Sequence, residues 1–418
     1  AGVAAMAMRV WKSPVLYLGL FLVAAVIMAL AAPYVIDWNT YRADIEAYGR
    51  KMTGRDVTVG GQISVRLFPW PRLIAEDVRI ANPPGTANPD FLSADRIGFH
   101  MELAGLFGGE IVVESIIIDH ATLNLERQEN GDNNWTLAPE ENPTEMDILD
   151  HLRLDKISVN NARVRFIDAR RGTDPVELDM PSLSLAAPSI SGPWRLNTDD
   201  ARFGGGIFRI SANSGVWGAG KPFRFGFRIS EIEGSGPSLS FDGQVIGERL
   251  GGDALILTAG ASQGKTDAEG EVIPLVIKSK VVATFDAMAF DRIEIAPTDP
   301  KLGGRLIAGS AKLALGAQTE AELTLTGPRI DLGAWAGGRS NRLIHDGRPM
   351  ALAEGILASL PRNLRLVTSL KIASLAMAGE TVENVELKLE ATNKAIKIAR
   401  LSAALPGRSR AEFSGLFI

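Results

Sequence analysis

The sequence predicts a mainly β protein: an N-terminal transmembrane helix and a short amphipathic helix, then an elongated, curled, mostly antiparallel sheet of repeating groove-like units. Three observations predict it. Beyond Asp56, apolar and polar residues alternate at period 2 over most of the chain, the mark of strands with one apolar and one polar face. Glycine is abundant at 43 of 418 residues while aromatics are 6%, a composition that suits many short strands and turns. The long uncharged run lies at the front, from Ser13 to Ile36.

That front run is dominated by Leu, Val, Ala and Ile. As a helix at about 1.5 Å per residue it spans about 36 Å, enough for a bilayer core of about 30 Å. Arg9 and Lys12 precede it and Asp37 follows it. The positive-inside rule then predicts a single pass, with the N-terminus cytoplasmic and the bulk of the chain across the membrane. Arg9, Lys12, Tyr34, Trp38, Tyr41 and Tyr48 are the expected membrane-interface residues. Ala29-Leu30-Ala31 also fits a small-x-small cleavage pattern. The run is longer than the roughly 7–15 residues of a signal-peptide core, which favours an uncleaved anchor.

Trp38, Tyr41, Ile45, Tyr48 and Met52 form a one-sided stripe at helical spacing, and Gly54 stands where such a helix would stop. The helix either lies on the membrane or packs on the β structure, and Arg50, Lys51 and Arg55 form a basic cluster at its end. Strands follow. Val57, Val59, Ile63, Val65 and Leu67 share one face, and Phe68-Pro69-Trp70-Pro71 breaks the run, since proline cannot sit in a central ladder. Trp70 is expected to anchor local packing. Leu73 to Ala81 is a second strand, and a third puts Ile97, Phe99, Met101 and Leu103 on one face. Ile111 to Ile118 is apolar on both faces apart from Glu114 and Ser115 and so reads as central. Gln128 to Asp150 is polar, acidic and proline-bearing, a solvated connection. Alternation resumes in Phe223, Phe225, Phe227 and Ile229, in Leu364 to Ile372, and in Val385 to Leu389. A further helix is expected at 351–360.

The predicted organisation is 1–36 as tip and anchor, 37–137 as helix plus β module, 138–150 as an acidic linker, and 151–418 as repeating β units. The chain opens on Ala1 and stops at Ile418 without a closing cap, so a piece of a longer protein, truncated at the C-terminus, is expected. An internal repeat is visible at an offset of 41: Val113, Ile116, Ile118, Ala121, Leu123 and Leu125 match Leu154, Ile157, Val159, Ala162, Val164 and Phe166. A polar pair precedes the alanine in both copies, Asp119-His120 and Asn160-Asn161. Stacked β units are the physical reading.

Chemistry is narrowed by what is missing. With no cysteine there are no disulfides, thiolate metal sites or Cys nucleophiles. Four histidines, none four residues from another, leave no metal-binding helix motif. A net charge of −5 argues against a nucleic-acid surface. Gly260-Ala261-Ser262-Gln263-Gly264 matches the G-x-S-x-G nucleophile elbow, but the loop-like Lys265 to Gly270 follows where a helix is needed. No catalytic residue, metal ligand or cofactor is assigned. An apolar sheet face poor in aromatics can be closed by a second sheet or left open for acyl chains. Alternation alone does not separate these two.

Several segments carry a resemblance: the anchor; Gly54-Arg55-Asp56-Val57-Thr58-Val59 leading into Leu67-Phe68-Pro69-Trp70-Pro71; Glu76-Asp77-Val78-Arg79-Ile80-Ala81-Asn82-Pro83; and Leu103 to Glu114 with its Leu106-Phe107-Gly108-Gly109. On these the chain resembles the AsmA family of inner-membrane-anchored, periplasm-facing proteins of Gram-negative bacteria. The resemblance implies a long β groove carrying phospholipid between inner and outer membranes, like the bridge-like lipid-transfer proteins, and a part in envelope biogenesis. It implies phospholipid and the inner membrane as partners, with an outer-membrane or periplasmic protein as a further one. The expected groove-lining residues are Ile63, Val65, Leu67, Ile97, Phe99, Met101, Leu103, Phe223, Phe225, Phe227 and Ile229. The alternatives are an envelope scaffold whose apolar face is closed by protein and, further off, a serine hydrolase using Ser262.

Overall fold

A computed structural model describes Phe21, Met28 and residues 36–66, 70–102, 113–136, 154–172, 174–189, 191–218, 221–232, 237–258, 275–298, 307–331, 363–377, 380–405, 407 and 409–417. The 21 strands among the described residues belong to one sheet. The chain divides into two compact units. The first holds the described residues up to Leu125 with Asn134–Val164 and Ala186–Ile190; the second holds Glu126–Asn133, Arg165–Leu185 and Ser191–Ile418. Among the described residues no helix is long and apolar enough to cross a membrane. The predicted anchor lies outside them apart from Phe21, Met28 and Ile36. The linker at 138–150, the helix expected at 351–360, Ser262, and Arg9, Lys12, Tyr34, Leu67 and Leu103 also lie outside.

The first unit opens with a 3-10 turn, Trp38–Tyr41, and helix α1, Arg42–Thr53. The Asp37 carboxylate accepts the Asn39 backbone N–H at 3.0 Å and caps the start. Gly54, at φ 68°, closes the end by donating to the Arg50 carbonyl. Strands β1 (Val57–Val59) and β2 (Ile63–Arg66) both pair with β3 (Arg72–Ala81), which pairs with β4 (Asp90–Met101), and β4 with β5 (Val113–Asp119). β6 is Thr122–Arg127. The registers carry the predicted alternation across the sheet: Val65, Leu73, Phe99 and Ile116 lie in one row, and Ile63, Ala75, Ile97 and Ile118 in the next. Directly opposed residues project on the same face.

Part of this face is covered. Trp38 and Ile45 pack on the cluster of Val59, Ile63 and Ala75. The same segment occupies the edge of β1 and β2. Arg42 donates to the Val59 and Gly61 carbonyls, Glu46 accepts the Val59 N–H at 2.8 Å, and Asn39 accepts the Ile63 N–H at 3.2 Å. An edge that would otherwise recruit another strand is thereby filled. Tyr41 and Tyr48 stay exposed. Arg50 pairs with Asp56 at 2.7 Å. Arg55 lies over the Phe91 ring and donates to the carbonyls of Asn134 and Thr136. Trp70 is 67% exposed and anchors no core, contrary to expectation; Pro71 after it has no N–H with which to extend the ladder. The start of the predicted connection is folded: Asn134 is fully buried and donates to the Asn124 carbonyl at 2.7 Å and to Asn82 Oδ1 at 2.8 Å.

The repeat is realised as physical stacking. β7 (Leu154–Asp168) runs parallel to β5, with Ile116 opposite Ile157, Ile118 opposite Val159 and Asp119 opposite Asn160. The register equals the sequence offset of 41, and Asn160 Nδ2 donates to Asp119 Oδ1 at 2.7 Å. His120 and Asn161 both take left-handed φ values, 53° and 54°, and the alanines that follow them are both buried. The first copy breaks there into β5 and β6 while the second continues as the single strand β7; the His120 N–H donates to the Asn160 carbonyl at 2.8 Å and the Arg163 N–H to the Ala121 carbonyl at 2.7 Å.

In the second unit the strands run β8 (Val176–Ala187), β9 (Arg195–Phe203), β10 (Gly206–Ser214), β11 (Phe223–Glu231), β12 (Ser238–Ile246), β13 (Arg249–Leu257), β14 (Leu275–Ala283), β15 (Ala287–Pro297), β16 (Ile307–Ala314), β17 (Thr319–Asp331), β18 (Leu364–Met377), β19 (Glu380–Ala391), β20 (Ile396–Leu405) and β21 (Ser409–Phe417). From β9 on, each pairs with its successor, antiparallel except for β17 with β18, which is parallel. The sheet is therefore mixed, with antiparallel pairing in the majority.

Candidate functional site

The candidate site is the apolar face of β10 to β21. One row runs Phe223, Val245, Leu250, Ala283, Met288, Leu313, Ala321, Leu366, Ala391, Ile396, Phe417, without a polar member from β11 to β21. A second runs Ile210, Ile229, Leu239, Ile256, Ile277, Ile295, Ile307 from β10 to β16. A third continues as Leu325, Leu370, Leu387, Leu401, Phe413 from β17 to β21. Bulges in β15, β19 and β20 re-phase the strands where the alternation would otherwise slip. The reverse face carries charge: Arg365 bonds Glu390 at 2.7 Å and Glu320 at 3.1 Å, and Arg400 bonds Glu412 at 3.0 Å.

Among the described residues, two cavities lie against the apolar face. The larger, about 680 Å³, is lined by Trp194, Trp217, Phe223, Phe225, Leu250 and Phe285 among others. The second, about 440 Å³, lies against Phe227, Phe241, Leu250, Ile277 and Phe290. Both fall in the size range of small-molecule sites, about 300–1,000 Å³. Leu250 borders both. Phe241 stacks on Phe227 with centroids 5.6 Å apart. Its ring lies over the paired glycines Gly243 and Gly252, where a Cβ would come within 2.6 and 2.7 Å of the ring. The glycines let a buried phenylalanine lie down on the sheet beside the second cavity.

At the rim of the larger cavity the turn after β14 meets an ionic cluster. Arg127 forks onto the Asp286 carboxylate at 2.9 and 3.3 Å, and Arg170 bonds the same carboxylate. Arg171 donates to the Phe285 carbonyl at 3.3 Å. The Arg127 guanidinium stands over the Phe285 ring at 5.5 Å. Behind them Asp168, whose side chain is 2% exposed, bonds Arg171 at 2.9 Å. The hydrogen bonds from Arg127, then those from Arg170, hold the Asp286 carboxyl well below its ordinary range, at about 2. The same bond to Asp286 raises Arg127.

Of the residues singled out from the sequence, Phe223 and Phe225 line the larger cavity and Phe227 the smaller. Ile229 lies in the adjoining aliphatic row. Val65, Ile97, Phe99 and Met101 are half-buried in the first unit, and Ile63 is buried beneath the N-terminal segment. Trp38 belongs to that same packing. The sequence reading missed Trp194, Trp217, Phe285 and the arginines. Two signals were available: apolar residues inside the turn Gly215-Val216-Trp217-Gly218, where polar ones are usual, and the pair Arg170-Arg171 beside Gly172. Among the described residues no group of three His, Asp or Glu is placed to hold a metal ion.

No curated protein and no solved structure matches the chain. The sequence model of the AsmA family matches residues 8–262, which takes in the N-terminal helix, the stacked repeat and the sheet as far as β13. The chain belongs to the AsmA family.

Proposed function

We propose that the protein holds phospholipid acyl chains on the apolar face of β10 to β21 and acts in phospholipid transport between inner and outer membrane, or in envelope biogenesis. In this reading it is a single-pass inner-membrane protein with its bulk in the periplasm, and an outer-membrane or periplasmic protein serves as a further partner. The observation that carries the reading is the row from Phe223 to Phe417, unbroken by any polar side chain and opening into two cavities. Acyl chains ask for a dry continuous surface and no directed hydrogen bond. Each buried methylene contributes about 0.8 kcal/mol, so binding needs no reactive group, and the protein is proposed to be no enzyme. Family membership supports the same reading.

Native mass spectrometry of the detergent-extracted chain tests it. Bound phospholipid is expected in the parent and is expected to be lost in the Phe225→Asp, Phe227→Asp double variant. An unchanged lipid yield in a folded variant overturns the reading. A protein partner retained without lipid would instead favour an envelope scaffold.

A further inference from the structure

The rim of the larger cavity is built unlike the rest of the face. Three guanidinium groups converge on one short turn, Phe285-Asp286, in which the first residue lines the cavity and the second is bound by the arginines. Arg127 is 9% exposed and Asp168 2%, whereas Asp286 is 58% exposed. The cations are thus held from behind by a buried carboxylate and faced from in front by one open to solvent. Three positive charges stand against those two negative ones, with Glu248 on the cavity lining as the next acid. The Arg127 fork takes both oxygens of Asp286, the geometry in which guanidinium groups also grip phosphate.

We propose that Arg127, Arg170 and Arg171 form the head-group site for an anionic phospholipid whose acyl chain enters the 680 Å³ cavity, and that Asp286 occupies this site in the unliganded protein. The proposal rests on the lipid-holding reading above and adds a preference for charge. A phosphate diester has two non-bridging oxygens that can take the Arg127 fork now held by Asp286, and its chain would start where the Phe285 ring meets the cavity. Asp286 is a built-in competitor: it neutralises the cluster when no lipid is bound and moves to solvent when one is. The turn that carries it, Thr284-Phe285-Asp286, is short and exposed at its tip, so the exchange moves little else.

Competition on the full, delipidated chain tests this, with fluorescent phosphatidylglycerol as the bound probe and phosphatidylglycerol, phosphatidylcholine, palmitate and inorganic phosphate as competitors. Phosphatidylglycerol is expected to displace the probe about tenfold better than phosphatidylcholine, which has the same phosphate diester but adds a choline cation that the three arginines repel. Asp286→Asn is expected to widen that preference about a further tenfold. The Arg170→Gln, Arg171→Gln double variant is expected to erase it, with a far-ultraviolet circular dichroism spectrum that matches the parent and so certifies its fold. Equal competition by the two phospholipids in parent and Asp286→Asn overturns the head-group site and leaves the lipid reading standing. Failure of any lipid to bind overturns both. Competition by palmitate or inorganic phosphate equal to that by phosphatidylglycerol overturns the assignment to phospholipid.

Discussion

The apolar face at β1 to β3 and the apolar face at β11 to β15 come from the same alternation, yet the protein treats them differently. At Val59, Ile63 and Ala75 the sequence supplies its own cover, a helical segment that adds Trp38 and Ile45 and fills the strand edge through Arg42 and Glu46. At Phe223, Phe225 and Phe227 the side chains remain half-buried and border cavities. A period of 2 states which way a side chain points. It says nothing about what, if anything, stands in front of it.

The sharpest way to break this contrast is to truncate one side chain in each region. Ile63→Ala removes a residue that is 2% exposed and should cost about 2–4 kcal/mol, since neighbours locked between helix and sheet cannot collapse into the gap. Urea unfolding of the extracted chain checks it, and a cost below about 1 kcal/mol would mean the cover is not packed as described. Asn134→Ala comes next. It leaves the Asn124 carbonyl and Asn82 Oδ1 without their donor and should cost about 1–3 kcal/mol, read by the same unfolding. Phe225→Ala should cost about 1 kcal/mol or less in stability, because the ring is already half-exposed, while lipid retention falls severalfold. Equal stability losses at Ile63 and Phe225 would erase the distinction between covered and open face.

The smallest effect is one of pH. Asp286 is depressed to about 2 by Arg127 and Arg170; Arg171 bonds the adjoining Phe285 carbonyl, and Asp168 and Glu248 act on Arg127. A depressed carboxylate contributes stability that is complete above its ordinary range and lost as pH falls through the folded value. Solvent screens this exposed group, so the contribution stays below about 1 kcal/mol. The stability gap between parent and Asp286→Asn should be present at pH 5 and should close as pH falls towards 2. A gap that persists at pH 2 would mean Asp286 does not hold the arginines through its charge.

Strand rows were legible because they are local: the spacing Phe223, Phe225, Phe227, Ile229 places these residues on one face whatever the partner strand. The repeat was legible too, and its offset turned out to be the register of β5 on β7. Three things were not. The packing role of Trp38 depends on where the chain turns after the helix, and its spacing fits a membrane surface equally well. The pairing of Arg127 with Asp286 joins residues 159 apart, which no window on the sequence sees. Asn134 looked like one more polar loop residue and is a buried hydrogen-bond donor instead, because two distant segments present carbonyl oxygens to it.

The strip that begins at Phe223 and reaches Phe417 has a kinetic corollary. On the reading proposed above, a hydrocarbon tail stepping sideways beyond the cavity beside Arg127, from Met288 onward, gives up aliphatic neighbours and meets aliphatic neighbours of the same kind, so successive resting places there differ little in depth. Where no stop is much deeper than its flanks, thermal agitation alone suffices for drift. In that reading, any directional bias is imposed at the ends of this stretch, the Arg127 cluster being at one of them, rather than along it.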